Sequence, residues 1–149
     1  MLNNLKIFIG YDSREKVAYH VLSQSILANS SIPVTISPIN LENLRRFYNR
    51  PKEKKHSTEF SISRFLTPYL SNYKGYSLFL DCDFIVLEDI AKLLSFVSKN
   101  TNKVVWCVKH KVISTTRTRV YTTATHTLDD FFISYVNLND TIDRHARFF

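Results

Sequence analysis

The amino-acid sequence predicts an α/β fold with a mainly parallel sheet flanked by helices. Near the N-terminus, a strand-like run, a helical stretch and a second strand-like run follow one another, and a later apolar run at residues 78–80 ends in two carboxylates. Strands that alternate with helices form parallel sheets, because each helix carries the chain back to the end of the sheet where the preceding strand began. The next strand then runs in the same direction as the preceding one. At 149 residues the chain is one domain or part of one.

The first unit is predicted from composition and periodicity. Residues 5–9 form a β-type run closed by Gly10, which indicates the first strand. Apolar residues recur at helical spacing over residues 14–28, and Asp12 or Ser13 is expected to cap that helix.

The same signals predict the later elements, which are strands at residues 34–36, 78–80 and 103–108 and helices at residues 40–48, 59–70 and 88–97. Thr58 is expected to cap the helix that begins at residue 59. Pro68 should end or kink this helix near Thr67, because proline lacks the N–H that a helix interior needs. A basic loop is expected over residues 49–57.

Composition and charge narrow the function classes. Glycine occurs only at Gly10 and Gly75, so the chain has neither a Walker-type nor a dinucleotide-type phosphate loop. The formal net charge of +7 favours anionic partners such as nucleotides, nucleic acid or a membrane face. No zinc, helix-turn-helix or RNA-recognition signature accompanies that charge, so we expect no nucleic-acid partner.

The compartment is predicted from three further features. We find neither a signal peptide nor an apolar run long enough to span a bilayer, which predicts a cytoplasmic protein with no transmembrane segment. Cys82 and Cys107 match no metal or disulfide spacing, so we expect buried free thiols in a reducing compartment.

The character of the sequence changes after residue 110. Residues 111–149 contain no glycine, proline or glutamate and include a threonine-rich run. Residues 131–136 fit a strand, but the remainder has no clear period. We therefore expect a domain over residues 1–110 and a tail of uncertain structure over residues 111–149, which does not continue the architecture of the domain.

Four side chains are expected to meet at one edge of the sheet. Asp12 follows the first strand, and Arg64 lies in the segment before the third. Asp81 and Asp83 end the third strand, where the alternation of a strand would aim both carboxylates at one cation. Open α/β sheets bind ligands at the carboxyl ends of their strands. Paired carboxylates suit Mg²⁺ or Mn²⁺ and a guanidinium suits phosphate, so these residues predict a nucleoside-diphosphate site.

Each of these residues also has a simpler structural role. Asp12 would only cap a helix, Arg64 would only form an ion pair, and the two carboxylates after the third strand would lie exposed at a turn. The shared edge favours the combined site over the separate roles.

Three sequence blocks occur in a fixed order: Ile7-Phe-Ile-Gly-Tyr-Asp-Ser-Arg-Glu15, Ser57-Thr-Glu-Phe-Ser-Ile-Ser-Arg-Phe-Leu-Thr-Pro-Tyr-Leu70 and Leu78-Phe-Leu-Asp-Cys-Asp83. In this order they resemble the GT-A glycosyltransferases, and among these they are most similar to glycosyltransferase family 8 and its bacterial relatives. The resemblance covers residues 7–110 and implies a Rossmann-like GT-A half-domain that binds a nucleotide sugar, with an Asp-x-Asp motif at residues 81–83.

The resemblance implies that a sugar is transferred from a nucleotide-diphosphate sugar, foremost a UDP-sugar, to an unidentified acceptor, with retention of anomeric configuration as in family 8. Asp81 and Asp83 would hold Mn²⁺ or Mg²⁺, which acts as a Lewis acid on the leaving diphosphate. The residues implied in donor binding are Gly10, Tyr11, Asp12, Arg64, Asp81 and Cys82. No catalytic residue is assigned.

The sequence departs from the family after His110. The family continues with an acceptor-binding half and a histidine ligand, and neither His126 nor His145 lies in a context that matches. We interpret residues 111–149 as the end of a truncated or frame-shifted product. An unpaired sheet edge left in this way would leave homo-oligomerisation open.

Two alternative functions follow. A catalytically inactive remnant would still bind a nucleotide. A haloacid dehalogenase-type phosphohydrolase would use Asp81 as its nucleophile, although Phe84 and Ile85 stand where that family has smaller residues.

Overall fold

The structure, a computed structural model, describes residues 4–50, 56–96, 105–107 and 131–136. The strands are β1 (Leu5–Gly10), β2 (Val34–Ile39), β3 (Gly75–Leu80), β4 (Val105–Cys107) and β5 (Phe131–Val136). The α-helices are α1 (Lys16–Ala28), α2 (Leu41–Leu44) and α3 (Thr67–Leu70), and 3-10 helices cover Ser63–Leu66 and Ile90–Phe96. This succession of strands and helices confirms the predicted α/β class.

The described strands form one sheet in the order β2-β1-β3-β5-β4. β1 pairs in parallel with both β2 and β3, and these three strands make a parallel core. β5 is antiparallel to β3 and to β4, so four strands share one direction and β5 runs the other way. The mainly parallel, Rossmann-like sheet is therefore confirmed, with one reversed strand.

Helical segments cover both faces of the sheet. Parallel crossovers are right-handed, so α1, which leads from β1 to β2, lies on one face. Residues 41–50 and 56–70, which belong to the connection from β2 past β1 to β3, lie on the other. Because both faces are covered, the central strands bury nearly every side chain, including Ile7, Ile9 and Phe79. Leu22 and Ile26, one turn apart on α1, pack against them.

The first helix differs from the prediction at its start. α1 begins at Lys16, and its N-cap residue is Glu15, which makes no side-chain cap bond. The expectation that Asp12 or Ser13 caps the helix is therefore wrong. The reason is competition, since the Asp12 carboxylate binds the backbone and guanidinium of Arg14, and the Ser13 hydroxyl binds Glu59.

The predicted helix over residues 59–70 is three shorter pieces. A turn at residues 59–62 leads into the 3-10 helix, and α3 follows directly. Pro68 stands in the first turn of α3, where its missing N–H costs no hydrogen bond, so it begins a helix instead of ending one.

Other boundaries also shift. The helix expected over residues 40–48 is limited to α2, which Asn40 caps by accepting a hydrogen bond from the Glu42 N–H. The helix expected over residues 88–97 is the 3-10 helix that begins at Ile90. β2 extends through Pro38, which is tolerated because β2 lies at the edge of the sheet.

β5 comes from the part of the sequence beyond residue 110. Its register with β3 places Phe131 opposite Leu80, and it lies between β3 and β4. Our expectation that this part does not continue the architecture is therefore wrong for residues 131–136. The other residues beyond 110, with His126 and His145, lie outside the described residues. The division at residue 110 and the truncated or frame-shifted origin of the tail stay predictions.

No helix within the described residues is long and apolar enough to cross a membrane. The cytoplasmic location stays a prediction.

Candidate functional site

The candidate site lies where β1 and β3 end. Ile9 and Leu80 are opposite each other in the parallel pairing. The chain therefore leaves both strands at the same edge, through Gly10 on one side and Asp81 on the other. This is the carboxyl edge of the sheet, at which open α/β sheets bind ligands.

Gly10 is required by the packing beneath this edge. A β-carbon at this position would overlap the ring of Phe60, which is completely buried. The absence of a side chain lets the segment before β3 pack directly on the end of β1. Gly10 therefore joins the two sides of the site, a role that the isolated β1 sequence does not reveal.

The loop after β1 is held by a buried carboxylate. The Asp12 side chain is 0% exposed and accepts hydrogen bonds from Arg14 Nε at 2.8 Å and Arg14 Nη2 at 2.6 Å. It also accepts from the backbone N–H groups of Arg14 at 3.0 Å and Glu59 at 3.2 Å. These bonds, led by the guanidinium, hold the pKa of Asp12 well below its ordinary range. Asp12 therefore carries a charge that the protein itself neutralises.

Two further contacts complete a clasp between this loop and the segment before α3. Arg14 Nη2 donates to the carbonyl of Ser57 at 2.8 Å. The backbone N–H and hydroxyl of Ser13 donate to the Glu59 carboxylate at 3.1 and 2.6 Å. We call residues Asp12, Ser13, Arg14 and Glu59 the β1 clasp. It brings the first two of the three conspicuous sequence blocks together.

Arg64 links the second block to the third. Its guanidinium carbon lies 5.4 Å from the centre of the Phe60 ring and 5.3 Å from that of Phe79. Nη2 approaches Asp81 Oδ2 at 3.4 Å, and both side chains are nearly buried, with 8% and 11% exposed. Two aromatic faces and a carboxylate thus stabilise the charge of Arg64 and fix the position of its guanidinium.

Cys82 is buried and its thiol is free, as predicted, whereas the side chain of Cys107 lies outside the described residues. Sγ donates to Glu15 Oε2 at 3.4 Å, which ties the turn after β3 to the start of α1. Burial, aided by the neighbouring carboxylate, raises the pKa of Cys82 to about 12. The thiol is therefore protonated at neutral pH and is unsuited to bind a metal as a thiolate.

Asp81 and Asp83 occupy different environments. β3 ends at Leu80 and a turn begins at Cys82, so the alternation of a strand does not extend over both carboxylates. Asp81 is buried beside Arg64, whereas Asp83 is exposed. The expectation that both aim at one cation because of strand geometry is therefore wrong in its reason, although both side chains lie at the same strand end.

The donor atoms fit a hard divalent cation. Carboxylate oxygens are the ligands that Mg²⁺ and Mn²⁺ prefer, and Mg²⁺ usually takes one or two from the protein and the others from water and phosphate. Within the described residues, no group of three or more His, Cys, Asp and Glu side chains could hold a metal. At this edge of the sheet, Asp81 and Asp83 are the residues that would hold such a cation.

Tyr11 directly follows β1 and is half-buried. Its N–H donates to the carbonyl of Ile39 at 3.1 Å, which extends the pairing of β1 and β2 by one residue. The half-buried ring meets the edge of Tyr19 with centroids 5.6 Å apart.

The structure joins two of the site residues that the sequence singled out and links a third to the same segment. Asp81 contacts Arg64 directly, and the β1 clasp reaches the same segment through Glu59. The contributions of Arg14, Glu59 and Phe60 were not predicted from the sequence. The Asp-Ser-Arg spacing was the available signal for the first, whereas the other two act through contacts with distant parts of the chain.

Comparisons with known proteins give one relationship. No family model matches the sequence, and no solved structure matches it significantly. "Protein CDI" of Arabidopsis thaliana is 48% identical over 107 residues, which cover 70% of this chain and 40% of that protein. The chain therefore spans less than half the length of this curated relative, whose name states no activity or ligand. The chain is thus similar to a part of Protein CDI.

Proposed function

We propose that this chain is the nucleotide-sugar-binding part of a GT-A-type glycosyltransferase. The observation that carries the proposal is the group at the end of β3, where Asp81 pairs with a buried Arg64 and Asp83 stays exposed in the turn that follows. The group stands at the ligand-binding edge of a parallel sheet. The proposed donor is a UDP-sugar, and the acceptor is a partner still to be found.

The proposal assigns different tasks to the two carboxylates. Asp83, being exposed, would bind Mn²⁺ or Mg²⁺ with help from Asp81, and a metal bound there would withdraw charge from the leaving diphosphate. Asp81 is also held by Arg64, whose guanidinium is fixed by the rings of Phe60 and Phe79. A guanidinium fixed in this way suits a phosphate or a sugar hydroxyl, because little freedom is lost on binding.

The β1 loop would form the nucleoside side of the pocket. The half-buried ring of Tyr11 is suited to pack against a base. Asp12 acts as a positioning residue in this proposal, since its carboxylate is occupied by Arg14 and Glu59. Gly10 contributes by leaving room for Phe60, and Cys82 contributes by its hydrogen bond to Glu15.

Thermal unfolding with UDP and Mn²⁺ tests the proposal. A ligand that binds only the native state at a hundredfold excess over its Kd stabilises it by about 2.7 kcal/mol, which is about 5–10 °C for a chain of this size. We expect this shift to need both UDP and Mn²⁺ and to be abolished in Asp83→Asn.

Glu88→Gln is the matched control. It also removes one exposed carboxylate, which pairs with Lys92. Glu88 adjoins Asp89, whose carboxylate binds Ser31 in the loop before β2, at the opposite edge of the sheet. The unfolding temperature of Glu88→Gln should rise with UDP and Mn²⁺ as much as that of the wild type. The site would be refuted if both variants lost this rise equally, or if no nucleoside diphosphate raised the unfolding temperature of the wild type.

Two activities separate the alternatives. Transfer of a sugar from the donor to an acceptor, or slow hydrolysis of the donor, distinguishes an active enzyme from a remnant that only binds. Trapping of an acyl phosphate on Asp81 with a phosphate ester would instead show a phosphohydrolase, and in that case UDP should give no metal-dependent shift.

A further inference from the structure

A patch of aromatic rings lies on the surface around α3. Phe47 and Tyr69 are each 51% exposed, and their ring centres are 5.7 Å apart. Tyr69 also meets the half-buried Tyr73, with 6.3 Å between the centres. We call Phe47, Tyr69 and Tyr73 the aromatic patch. Aromatic side chains contribute large apolar areas, so three together on a surface indicate an interaction site.

The backbone that presents this patch is strained. Asn72 and Tyr73 have φ values of 58° and 52°, in the left-handed region that favours glycine. They end α3, where the Tyr73 N–H donates to the carbonyl of Pro68 at 2.9 Å. Helix ends commonly place glycine or asparagine in this conformation. A tyrosine there costs folding free energy, which is the kind of strain that persists at functional positions.

The surroundings of the patch are basic. Arg46 precedes Phe47 and Lys74 follows Tyr73, and both are exposed. Residues 43–50 and 60–80 contain no aspartate or glutamate. Glu42 is the nearest acid along the chain, and it pairs with Arg45. Among the described residues that flank the rings along the chain, basic side chains therefore outnumber acidic ones.

The ring geometry favours one anionic partner over another. Bases of a nucleic acid stack on exposed ring faces, but the rings here are inclined at 47° and 81° to one another and form no common platform. A membrane interface accepts rings at any inclination at the level of the headgroups, while lysine and arginine attract anionic lipids. We propose that the aromatic patch docks on the surface of an anionic membrane.

The proposal is independent of the donor site. It requires a peripheral contact through rings and cations, and the nucleotide takes no part in it. A protein held in this way would act next to a lipid surface, whichever reaction it performs.

Co-sedimentation with vesicles tests the proposal. Vesicles of phosphatidylcholine with one third phosphatidylserine should pellet the protein, and vesicles of phosphatidylcholine alone should not. The Phe47→Ala and Tyr69→Ala double variant should need at least about tenfold more anionic lipid for half-maximal binding. The Arg46→Glu and Lys74→Glu double variant should bind as weakly, because binding needs both rings and charge.

Tyr73→Gly separates docking from folding. Glycine relieves the left-handed strain, so this variant should unfold at a temperature no lower than the wild type while binding less anionic lipid. Leu87→Ser is the control, since Leu87 is 82% exposed and its neighbour Val86 bonds to α1, on the other face of the sheet. It should bind like the wild type.

Three results would overturn the proposal. The first is equal binding of the protein to both kinds of vesicle. The second is a loss of vesicle binding in Leu87→Ser as large as that in the Phe47→Ala and Tyr69→Ala double variant, and the third is binding to a single-stranded RNA without binding to vesicles. The last result would assign the patch to nucleic acid.

Discussion

The residues after β1 and those after β3, on the two sides of the carboxyl edge, are of similar types but have different roles. On the β1 side, Asp12 is buried and the protein itself supplies its hydrogen bonds, from Arg14 and from the Glu59 N–H. On the β3 side, a buried Asp81 meets Arg64 at the longer distance of 3.4 Å, and an exposed Asp83 follows. Both sides pair a carboxylate with a guanidinium. The first pair closes a loop, whereas the second stands next to a carboxylate that faces solvent.

This difference separates positioning from binding. A carboxylate whose hydrogen bonds come from its own protein stabilises the fold and has little capacity left for a ligand. An exposed carboxylate contributes little to the fold and can bind a cation at low cost. The β1 side should therefore respond to substitution with changes in stability, and Asp83 with changes in ligand response.

Gly10→Ala should have the largest effect, because Gly10 lies under both sides. The added methyl group would overlap the ring of Phe60, which is buried and cannot move aside. We expect the free energy of unfolding to fall by about 3 kcal/mol, measured by urea denaturation. Combining it with Phe60→Leu should recover part of the loss. Simple addition of the two losses would contradict the proposed overlap.

Asp12→Ala should have the next largest effect, limited to the β1 side. It removes a buried charged acceptor from four hydrogen-bond donors, and we expect a loss of about 2–3 kcal/mol by the same measurement. Arg14→Gln should cost less, since the Arg14 side chain is 59% exposed while two backbone donors remain for the carboxylate. An equal loss in both variants would show that the ion pair, and not the buried carboxylate, holds the loop.

The β1 clasp should also weaken in acid. The bond from Arg14 lowers the pKa of Asp12 below its ordinary value of 3.8 in the folded state, so the unfolded state takes up this proton more readily. The stabilisation is complete above that value and is lost as the pH falls further, by up to about 1.4 kcal/mol per pH unit. The difference in unfolding free energy between wild type and Asp12→Asn should therefore shrink below pH 4. A constant difference from pH 5 to pH 2 would contradict this.

Asp83→Asn should have the smallest effect on stability. Because Asp83 is exposed, the free energy of unfolding of the Asp83→Asn variant without ligand should stay within about 0.5 kcal/mol of that of the wild type. The same variant is expected to lose the response to UDP with Mn²⁺. A large loss of stability would place Asp83 with the structural carboxylates and remove the contrast between the two sides.

The sequence predicted the elements that depend on local pattern. Helical spacing identified α1, and short apolar runs identified β1, β2 and β3. It also predicted that Asp12, Arg64 and Asp81 come to one edge, since parallel strands end on the same side. The sequence predicted the contacts of a side chain less well where both a local and a distant hydrogen-bond partner were within reach. Asp12 was expected to cap α1, and it closes the loop against Glu59 instead.

Local pattern thus determined the α/β class, the parallel pairing of the first three strands and the position of two carboxylates at a strand end. These follow from periods of two and 3.6 residues, which are complete within one element. Only the tertiary structure decided that Gly10 makes room for Phe60, that two rings hold Arg64, and that β5 joins the sheet. Each of these contacts joins segments that are far apart in the chain. Packing between two such segments depends on the shape of both, so it cannot be read from the sequence of either segment alone.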